Sequence, residues 1–206
     1  MCRPVPLLAA AHEQPDFQLE VMVNLLLATG IRSGELTALH WEDVDLRTGV
    51  LFVQNTLVRV NGEYKRTAPK TATSTRHIIL PPFILRMLEE HKRQQDATQA
   101  DSGGEWRKCP AVFLNNSGNY MLGGNINLKL KRLLEAAGLP PDIHLHSLRH
   151  THASLLINSD VTAKVIASRL GHGTTKTTLD TYAHVFASSE VKAMQAVQMA
   201  LFDGEE

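Results

Sequence analysis

Residues Leu19–Thr29, with the sequence LEVMVNLLLAT, constrain the fold of this 206-residue chain more than any other stretch. The segment is apolar on nearly every side, and a helix without a polar face must be enclosed by other elements. Gly30 follows directly and predicts the end of the helix, because glycine readily adopts the left-handed backbone conformation. We therefore expect a mainly α-helical fold in which this helix is buried among others.

After this region the pattern of apolar residues changes from that of a helix to that of extended strands, which predicts a small antiparallel sheet. Val50–Val60 is rich in β-branched residues, and Asn61-Gly62 is a hairpin signal. Further strands are expected from Tyr64 to about Thr67 and from Arg76 to Leu80, which gives a three-stranded antiparallel sheet. The polar connection at 69–75 is predicted to be a mobile surface loop.

Helical patterns occupy much of the remaining chain. Pro81-Pro82 predicts the start of a helix that fades into a variable surface loop over 94–108. A later helix, over about 126–137, has an apolar face and a basic face, and the basic face either follows DNA backbone or is simply solvated. We expect residues 1–15 to form a flexible N-terminal segment and residues 16–206 to form one domain.

The charge balance gives no sign of a strongly basic protein. Lysine and arginine total 21, as do aspartate and glutamate, so no overall positive field indicates a nucleic-acid partner. Cys2 and Cys109 are too few for a disulfide framework, which is typical of a reducing cytosol. No stretch approaches the roughly 20 apolar residues of a membrane span. We therefore expect a soluble, cytoplasmic protein without membrane contact.

The region 144–184 carries the residues with the clearest chemistry. His146 lies three residues before Arg149, so on a helix the two side chains can point at a single anion. Leu170-Gly171-His172 is typical of a helix end that delivers a histidine, and Tyr182 follows ten residues later. Arginine binds phosphate through paired hydrogen bonds, histidine exchanges protons near neutral pH, and a tyrosine oxygen can form a phosphoester. The pattern predicts covalent phosphoryl transfer.

Two other interpretations of this region remain open. His144, His146, His150 and His152 could form a metal site, although no HExxH motif, nearby cysteine or second carboxylate completes a zinc shell. Residues 147–170 could form a helix-turn-helix that reads bases. That second interpretation leaves the spacing of the arginine, histidine and tyrosine unexplained.

Taken in order, these motifs resemble the active-site boxes of the tyrosine recombinases, the phage-integrase family. The resemblance rests on five patterns: ATGxRxGEL from Ala28, KTxxSxRxIxL from Lys70, HxLR at 146–149, LGH at 170–172 and TxxTY at 178–182. It extends from about residue 16 to the C-terminus. It implies the DNA breaking-rejoining catalytic domain fold and a site-specific recombinase, or integrase, that cleaves and rejoins DNA through a 3′-phosphotyrosine intermediate.

The resemblance also implies a role for each matching residue. The expected catalytic set is Arg32, Lys70, His146, Arg149, His172 and the nucleophile Tyr182. The two arginines would hold the non-bridging phosphate oxygens, and Lys70 would protonate the leaving 5′-oxygen. His146 would handle the proton of the nucleophile, and His172 would donate to the phosphate. Glu35 would support Arg32 from one helical turn away.

The partners implied by the resemblance are double-stranded DNA, further copies of the chain in a tetramer on DNA, and accessory DNA-bending or directionality proteins. No cofactor and no metal are implied, and the protein would be bacterial or phage-encoded and associated with the nucleoid in use. A terminal helix at about 188–202 would pack on its own domain or dock in a neighbouring copy. A type IB topoisomerase-like enzyme and a non-catalytic DNA-binding regulator remain alternatives.

Overall fold

The computed structural model describes residues 5–61, 63–68, 74–102, 106, 109–186, 194, 197 and 198. Eight helices lie in these ranges: α1 (Val5–Glu13), α2 (Phe17–Thr29), α3 (Ser33–Ala38), α4 (Pro82–Asp101), α5 (Gly123–Ala136), α6 (Leu145–Asn158), α7 (Ala163–Leu170) and α8 (Thr175–Phe186). Five strands accompany them: β1 (Val44–Asp45), β2 (Val50–Val53), β3 (Thr56–Val60), β4 (Glu63–Thr67) and β5 (Arg76–Ile79). None of these helices is long and apolar enough to cross a bilayer.

Helix α2 is the centre of the core, as its sequence predicts. Met22, Leu25 and Leu26 are completely buried, and α2 packs against α1, α4, α5 and α6. The carboxylate of Asp16 accepts a hydrogen bond from the Leu19 backbone N–H at 3.1 Å and so begins the helix. Gly30 ends it in the left-handed conformation, with φ of 65°. Burial on all sides explains why this helix has no polar face.

The expectation of a flexible segment at residues 1–15 is corrected where Val5–Glu13 forms α1, and residues 1–4 lie outside the described residues. Leu7 and Ala11 of this helix are buried against α2. Pro6 lies in the first turn, where a missing N–H costs nothing because that group has no helical acceptor. His12 Nδ1 lies 2.8 Å from the carboxylate of Glu20 and links the two helices further. This helix is short and has no clear helical pattern of apolar residues, so the sequence appears irregular there. Its packing on α2 stabilises it.

The predicted three-stranded sheet exists with a different membership. Val50–Val60 divides into β2 and β3, and the antiparallel sheet has the order β1-β2-β5. Strands β3 and β4 form a separate hairpin whose turn contains Asn61 in the left-handed conformation, with φ of 50°. The two strands differ in burial, because β2 buries Leu51 and Val53 whereas β3 has no buried residue. An uninterrupted apolar run does not reveal where one strand stops and a second begins.

The loop predicted at 94–108 is also corrected, because α4 continues to Asp101. The segment is polar but contains good helix formers, and Lys92 pairs with Asp96 one turn later at 3.1 Å. Gln95 accepts a hydrogen bond from the Trp41 indole at 2.6 Å and anchors the middle of the helix. The polar composition of residues 94–101 predicts a loop, but these residues form the solvated end of a helix.

Helices α6, α7 and α8 enclose a second, smaller apolar cluster. It consists of Ala153, Ile157, Ile166, Leu170, Tyr182 and Val185. The tyrosine predicted as nucleophile is thus also a packing residue of this cluster. The terminal helix expected at about 188–202 lies mostly outside the described residues; Met194 and Val197, which the structure describes, are exposed.

Candidate active site

Arg32 occupies the short connection between α2 and α3. Its backbone is extended, and the Glu35 carboxylate accepts hydrogen bonds from its backbone N–H at 2.7 Å and from Nη1 at 2.9 Å. Nη2 donates to the carbonyl of Gly171 at 3.1 Å, which ties the start of α3 to the end of α7. The side chain is 41% exposed. A guanidinium group has more N–H donors than these bonds use, so Arg32 can still bind an anion from solvent.

Glu35 is shared between two arginines. Arg76, the first residue of β5, binds the carboxylate of Glu35 through both terminal nitrogens, at 3.0 and 2.8 Å, and the side chains of both partners are 5% exposed. Burial alone raises the pKa of Glu35, but the hydrogen bonds and charge of Arg76, helped by Arg32, outweigh burial and hold the pKa below its usual value. Glu35 is therefore an anion that fixes both arginines.

Arg149 is buried on α6 and spans two helix ends. It is 3% exposed, and it donates to the carbonyl of Gly30 at 2.6 Å and to that of Leu170 at 2.7 Å. Both acceptors lie at helix C-termini, where the partial negative charge favours a cation. Burial and the nearby Arg32 lower the pKa of Arg149 to about 10, so it remains charged at neutral pH.

His172 stands directly after the end of α7. Gly171 has φ of 67°, and a Cβ at that position would lie 2.7 Å from Nη1 of Arg76; glycine is thus required for both conformation and space. Nδ1 of His172 lies 2.8 Å from the hydroxyl oxygen of Thr178. Burial and the charges of Arg149, Arg32 and Arg76 lower the pKa of His172 to about 4. The imidazole is therefore neutral at physiological pH.

A chain of three rings joins α6 to α8. The rings of His146 and His150 meet edge to face with centroids 4.6 Å apart, and the ring of His150 meets that of Tyr182 at 5.5 Å. Burial and Arg149 lower the pKa of His146, so its neutral form is favoured. Tyr182 is 2% exposed and lies at a kink in α8, with φ of −113° and ψ of 20°. Burial raises its pKa, and the positive charge of Arg149 partly offsets that effect.

The structure brings five of the six predicted catalytic residues into one region. Arg32, His146, Arg149, His172 and Tyr182 are linked by the hydrogen bonds and electrostatic interactions described above. Glu35, which was expected to support Arg32, lies in direct contact with it. Lys70 lies outside the described residues.

Sequence reasoning missed several residues around this site. The sequence indicates no role for Arg76 beyond its place in a strand and in the KTxxSxRxIxL pattern, although it lies on the same strand face as the buried Ile78, and a buried charge needs a partner. Arg169 and the buried His152 are linked by a partly buried hydrogen bond, with Arg169 Nε donating to His152 Nε2 at 3.3 Å. Thr178 is the first residue of the TxxTY pattern, but only the tyrosine of that pattern was expected to have a role.

The histidines of α6 do not converge on one point. His152 Nδ1 lies 2.8 Å from the carbonyl of Leu27, and His144 Nδ1 lies close to the hydroxyl of Ser147. Within the described ranges, no group of three or more histidine, cysteine, aspartate or glutamate residues is arranged to hold a metal ion.

Comparison with known proteins gives a consistent match. The model of the Phage integrase family matches residues 5–189. The chain is 30% identical over 192 residues to a tyrosine recombinase XerC-like protein of Caldanaerobacter subterraneus, covering 87% of this chain and 49% of that protein. It is 32% identical over 189 residues to the integrase of Staphylococcus phage L54a, covering 87% and 51%. The chain thus spans about half the length of these relatives.

Solved structures show the same architecture. The Tn1549 transposon integrase in complex with transposon right end DNA matches with a TM-score of 0.80 at 22% identity, covering 95% of this chain and 65% of that one. The XerA recombinase matches with a TM-score of 0.67 at 23% identity, covering 85% and 56%. At these identities the likeness concerns the fold.

Proposed function

Because this chain belongs to the phage integrase family, we propose that it is the catalytic domain of a site-specific DNA recombinase. One observation carries the proposal: Arg149 and Arg32 donate hydrogen bonds to two consecutive carbonyls at the end of α7, those of Leu170 and Gly171. Both guanidinium groups are thereby held next to His172. Two cations fixed in this way suit the two non-bridging oxygens of a phosphodiester. The names of the matched relatives, recombinase and integrase, favour recombination over the topoisomerase alternative.

In the proposed reaction, the phenolic oxygen of Tyr182 attacks the phosphorus of one DNA strand. A bond forms between that oxygen and phosphorus, and the bond from phosphorus to the 5′-oxygen breaks. The products are a 3′-phosphotyrosine and a free 5′-hydroxyl, with Lys70 supplying the proton to the leaving oxygen. The new diester conserves the energy of the old one, so attack by another 5′-hydroxyl rejoins the DNA and exchanges strands.

Proton transfer from Tyr182 requires a base, because burial raises the pKa of this side chain. His146 is suited to that role, since its lowered pKa keeps it neutral and able to accept a proton near pH 7. The ring of His150 lies between the two, within edge-to-face contact of each. As Tyr182 is 2% exposed, its oxygen reaches a DNA phosphate only if this part of the protein moves, and the kink in α8 lies at this residue.

In the proposed reaction, Arg32, Arg149 and His172 stabilise the negative charge that develops on the phosphate. Negative charge builds up on the non-bridging oxygens in the transition state, and donors fixed in advance stabilise it without reorganisation. Loss of one such donor typically slows a reaction by about 10²–10³-fold. The contacts of Arg149 with Gly30 and Leu170 serve this purpose by holding its guanidinium plane in place before DNA arrives.

The proposed partners are duplex DNA, other copies of the chain in a tetramer on DNA, and accessory DNA-bending or directionality proteins. Neighbouring structures include the Tn1549 integrase with DNA and a lambda integrase dimer bound to a core site, which supports duplex DNA as the ligand. The basic face of α5 is partly neutralised, since Lys129 pairs with Asp16 at 2.5 Å and Lys131 lies 3.9 Å from Glu135. We place the protein in the cytoplasm, on the nucleoid when in use.

The experiment that tests the function is trapping of a covalent protein–DNA adduct. A nicked duplex carrying the target site loses the short 5′-hydroxyl fragment after cleavage, so rejoining is prevented and the adduct accumulates. We expect a band of increased mass in denaturing gels that protease treatment removes. A folded protein that binds the site and never forms this adduct would refute the proposed reaction and favour the non-catalytic regulator.

Lys70→Ala is expected to slow adduct formation while DNA binding and folding are retained. A substrate with sulfur in place of the bridging 5′-oxygen has a better leaving group and needs no general acid, so it should largely restore the rate. Single-turnover cleavage of the oxygen and sulfur substrates measures this effect. Arg149→Ala is the control, because sulfur should not rescue the loss of a phosphate-binding group. Rescue of Arg149→Ala and not of Lys70→Ala would show that the general acid is assigned wrongly.

A further inference from the structure

Thr178 is a fully buried residue of α8 whose hydroxyl has its hydrogen-bond partner outside the helix. It is 0% exposed, and its oxygen lies 2.8 Å from Nδ1 of His172. Other helical threonines in the chain, such as Thr151 and Thr181, donate their hydroxyl to the carbonyl four residues earlier. Among the described residues, His172 is the recorded partner of the Thr178 hydroxyl. A buried hydroxyl in this position can determine the state of the imidazole.

The contact between Thr178 and His172 allows two arrangements of hydrogen. His172 is neutral near pH 7, because burial and the adjacent arginines lower its pKa to about 4; its ring therefore carries one N–H. In the first arrangement the hydroxyl donates to Nδ1 and the ring hydrogen is on Nε2. In the second, Nδ1–H donates to the hydroxyl and Nε2 presents a lone pair. The first gives the buried hydroxyl hydrogen an acceptor, whereas the second leaves it without one among the described contacts, which is costly.

We propose that Thr178 is a positioning residue that holds His172 in the tautomer with hydrogen on Nε2, so that the ring presents a donor to the scissile phosphate. Since Nδ1 is occupied by Thr178, Nε2 is the nitrogen that remains for a ligand. A lone pair at Nε2 would repel phosphate oxygens, and an N–H at the same place attracts them. The role of the donor rests on the proposed function, but the tautomer is a property of the protein without DNA.

The position of Thr178 also couples His172 to the nucleophile. Residues 178 and 182 are four apart on α8, so Thr178 and Tyr182 lie on the same side of the helix one turn apart. The helix that carries the tyrosine therefore holds the imidazole through Thr178. A displacement of the whole of α8 therefore acts both on Tyr182 and on the hydrogen bond that orients His172.

The first test measures the tautomer directly in protein without DNA. Long-range nitrogen–proton NMR spectra of labelled protein distinguish a protonated from an unprotonated ring nitrogen, and His172→Gln identifies the signals of this residue. We expect protonated Nε2 and unprotonated Nδ1 in the wild-type protein and in Thr178→Ser. In Thr178→Val, which has nearly the same shape but no hydroxyl, we expect the Nδ1–H tautomer to become populated. Wild-type protein with hydrogen on Nδ1 would overturn the proposal, whatever the variants do.

The second test measures adduct formation on the nicked duplex in single turnovers. We expect Thr178→Val to be about threefold to tenfold slower, the range set by one net hydrogen bond, with unchanged DNA affinity. Thr178→Ser should retain the wild-type rate. Thr151→Val is the matched control, since it removes a hydroxyl that bonds only within α6, and it should also retain the rate. An unchanged rate and tautomer in Thr178→Val would refute the proposal.

The outcomes separate this inference from the proposed function. If wild-type protein forms no adduct, the proposed function fails, while the NMR result still decides the tautomer. If Thr178→Val does not fold, as shown by its thermal unfolding curve, the wild-type tautomer and the rate of Thr178→Ser decide the matter. A rate for Thr178→Ser as low as that of an Ala variant would show that the hydroxyl is not what matters, and would overturn the proposal.

Discussion

Tyr182→Phe is expected to abolish the covalent protein–DNA adduct while the fold and DNA binding are retained. The change removes one oxygen from a ring that is 2% exposed and packs with Ile157, Ile166 and Leu170. The ring remains in the apolar cluster, so we expect little change in the midpoint of thermal unfolding. The proposed nucleophile is lost completely, so we expect no phosphotyrosine to form. Adduct trapping on the nicked duplex, alongside an unfolding curve, measures both effects.

Two other tyrosines provide the controls for this experiment. Tyr120 donates or accepts a hydrogen bond with His40 at 2.9 Å, and Tyr64 is 40% exposed on β4. Neither lies in the region of Arg32 and Arg149 in the contacts that the structure describes. Tyr120→Phe and Tyr64→Phe should therefore form the adduct at the wild-type rate. An adduct that persists in Tyr182→Phe and disappears in either of these variants would place the nucleophile elsewhere.

The sequence predicted the elements that depend on local signals or on burial over a long stretch. The enclosed α2 and its end at Gly30 are confirmed, because an apolar helix followed by glycine has few alternatives. The mainly helical fold with small antiparallel sheets is confirmed by the structure and by the Tn1549 integrase. The errors concern α1, the far half of α4 and the division of Val50–Val60. The structure of each of these three segments depends on tertiary packing or on solvation, and neither can be deduced from the spacing of apolar residues.

The residues of the candidate site likewise fall into two groups, those that the sequence predicted and those that it did not. Histidine, arginine and tyrosine at fixed spacings could be found because their chemistry is specific. The groups that hold them could not, since their roles arise from contacts between distant segments: Arg76 reaches Glu35 across 41 positions, and Arg149 reaches Gly30 across 119. Arg76 is detectable in the sequence in one way only: it is a charged residue at a strand position that alternation predicts to be buried. Whether that charge meets a carboxylate is a property of the fold.

Arg76→Met is expected to be the most destabilising substitution around the site. Both partners of its ion pair with Glu35 are 5% exposed, and methionine would leave the carboxylate buried with less compensation. Breaking a buried pair from one side typically costs about 3–5 kcal/mol, a large part of the roughly 5–15 kcal/mol that keeps a domain folded. The loss also frees Glu35 from one of its two arginines. Chemical denaturation of the variant measures the change in the free energy of unfolding.

Two variants control the interpretation of this result. Arg93→Met removes an exposed arginine from its pair with Glu90 on α4, and it should change stability little because both groups are solvated. Glu35→Gln combined with Arg76→Met leaves no unpaired buried charge, and it should be more stable than Arg76→Met alone. If Arg76→Met were as stable as Arg93→Met, the buried pair would have no special role in holding β5 against α3.

The pair also predicts a dependence of stability on pH. The pKa of Glu35 lies below its usual value near 4.5 in the folded protein, so its contribution is present above that value and is lost as the pH falls through the folded pKa. His152 and His172, with pKa values lowered from 6.5 to about 4, destabilise the fold as pH falls between those values. They act equally in wild-type protein and in Glu35→Gln. Below about pH 4.5 the wild-type free energy of unfolding should therefore fall more steeply than that of Glu35→Gln, and parallel curves would show that folding does not lower the pKa of Glu35.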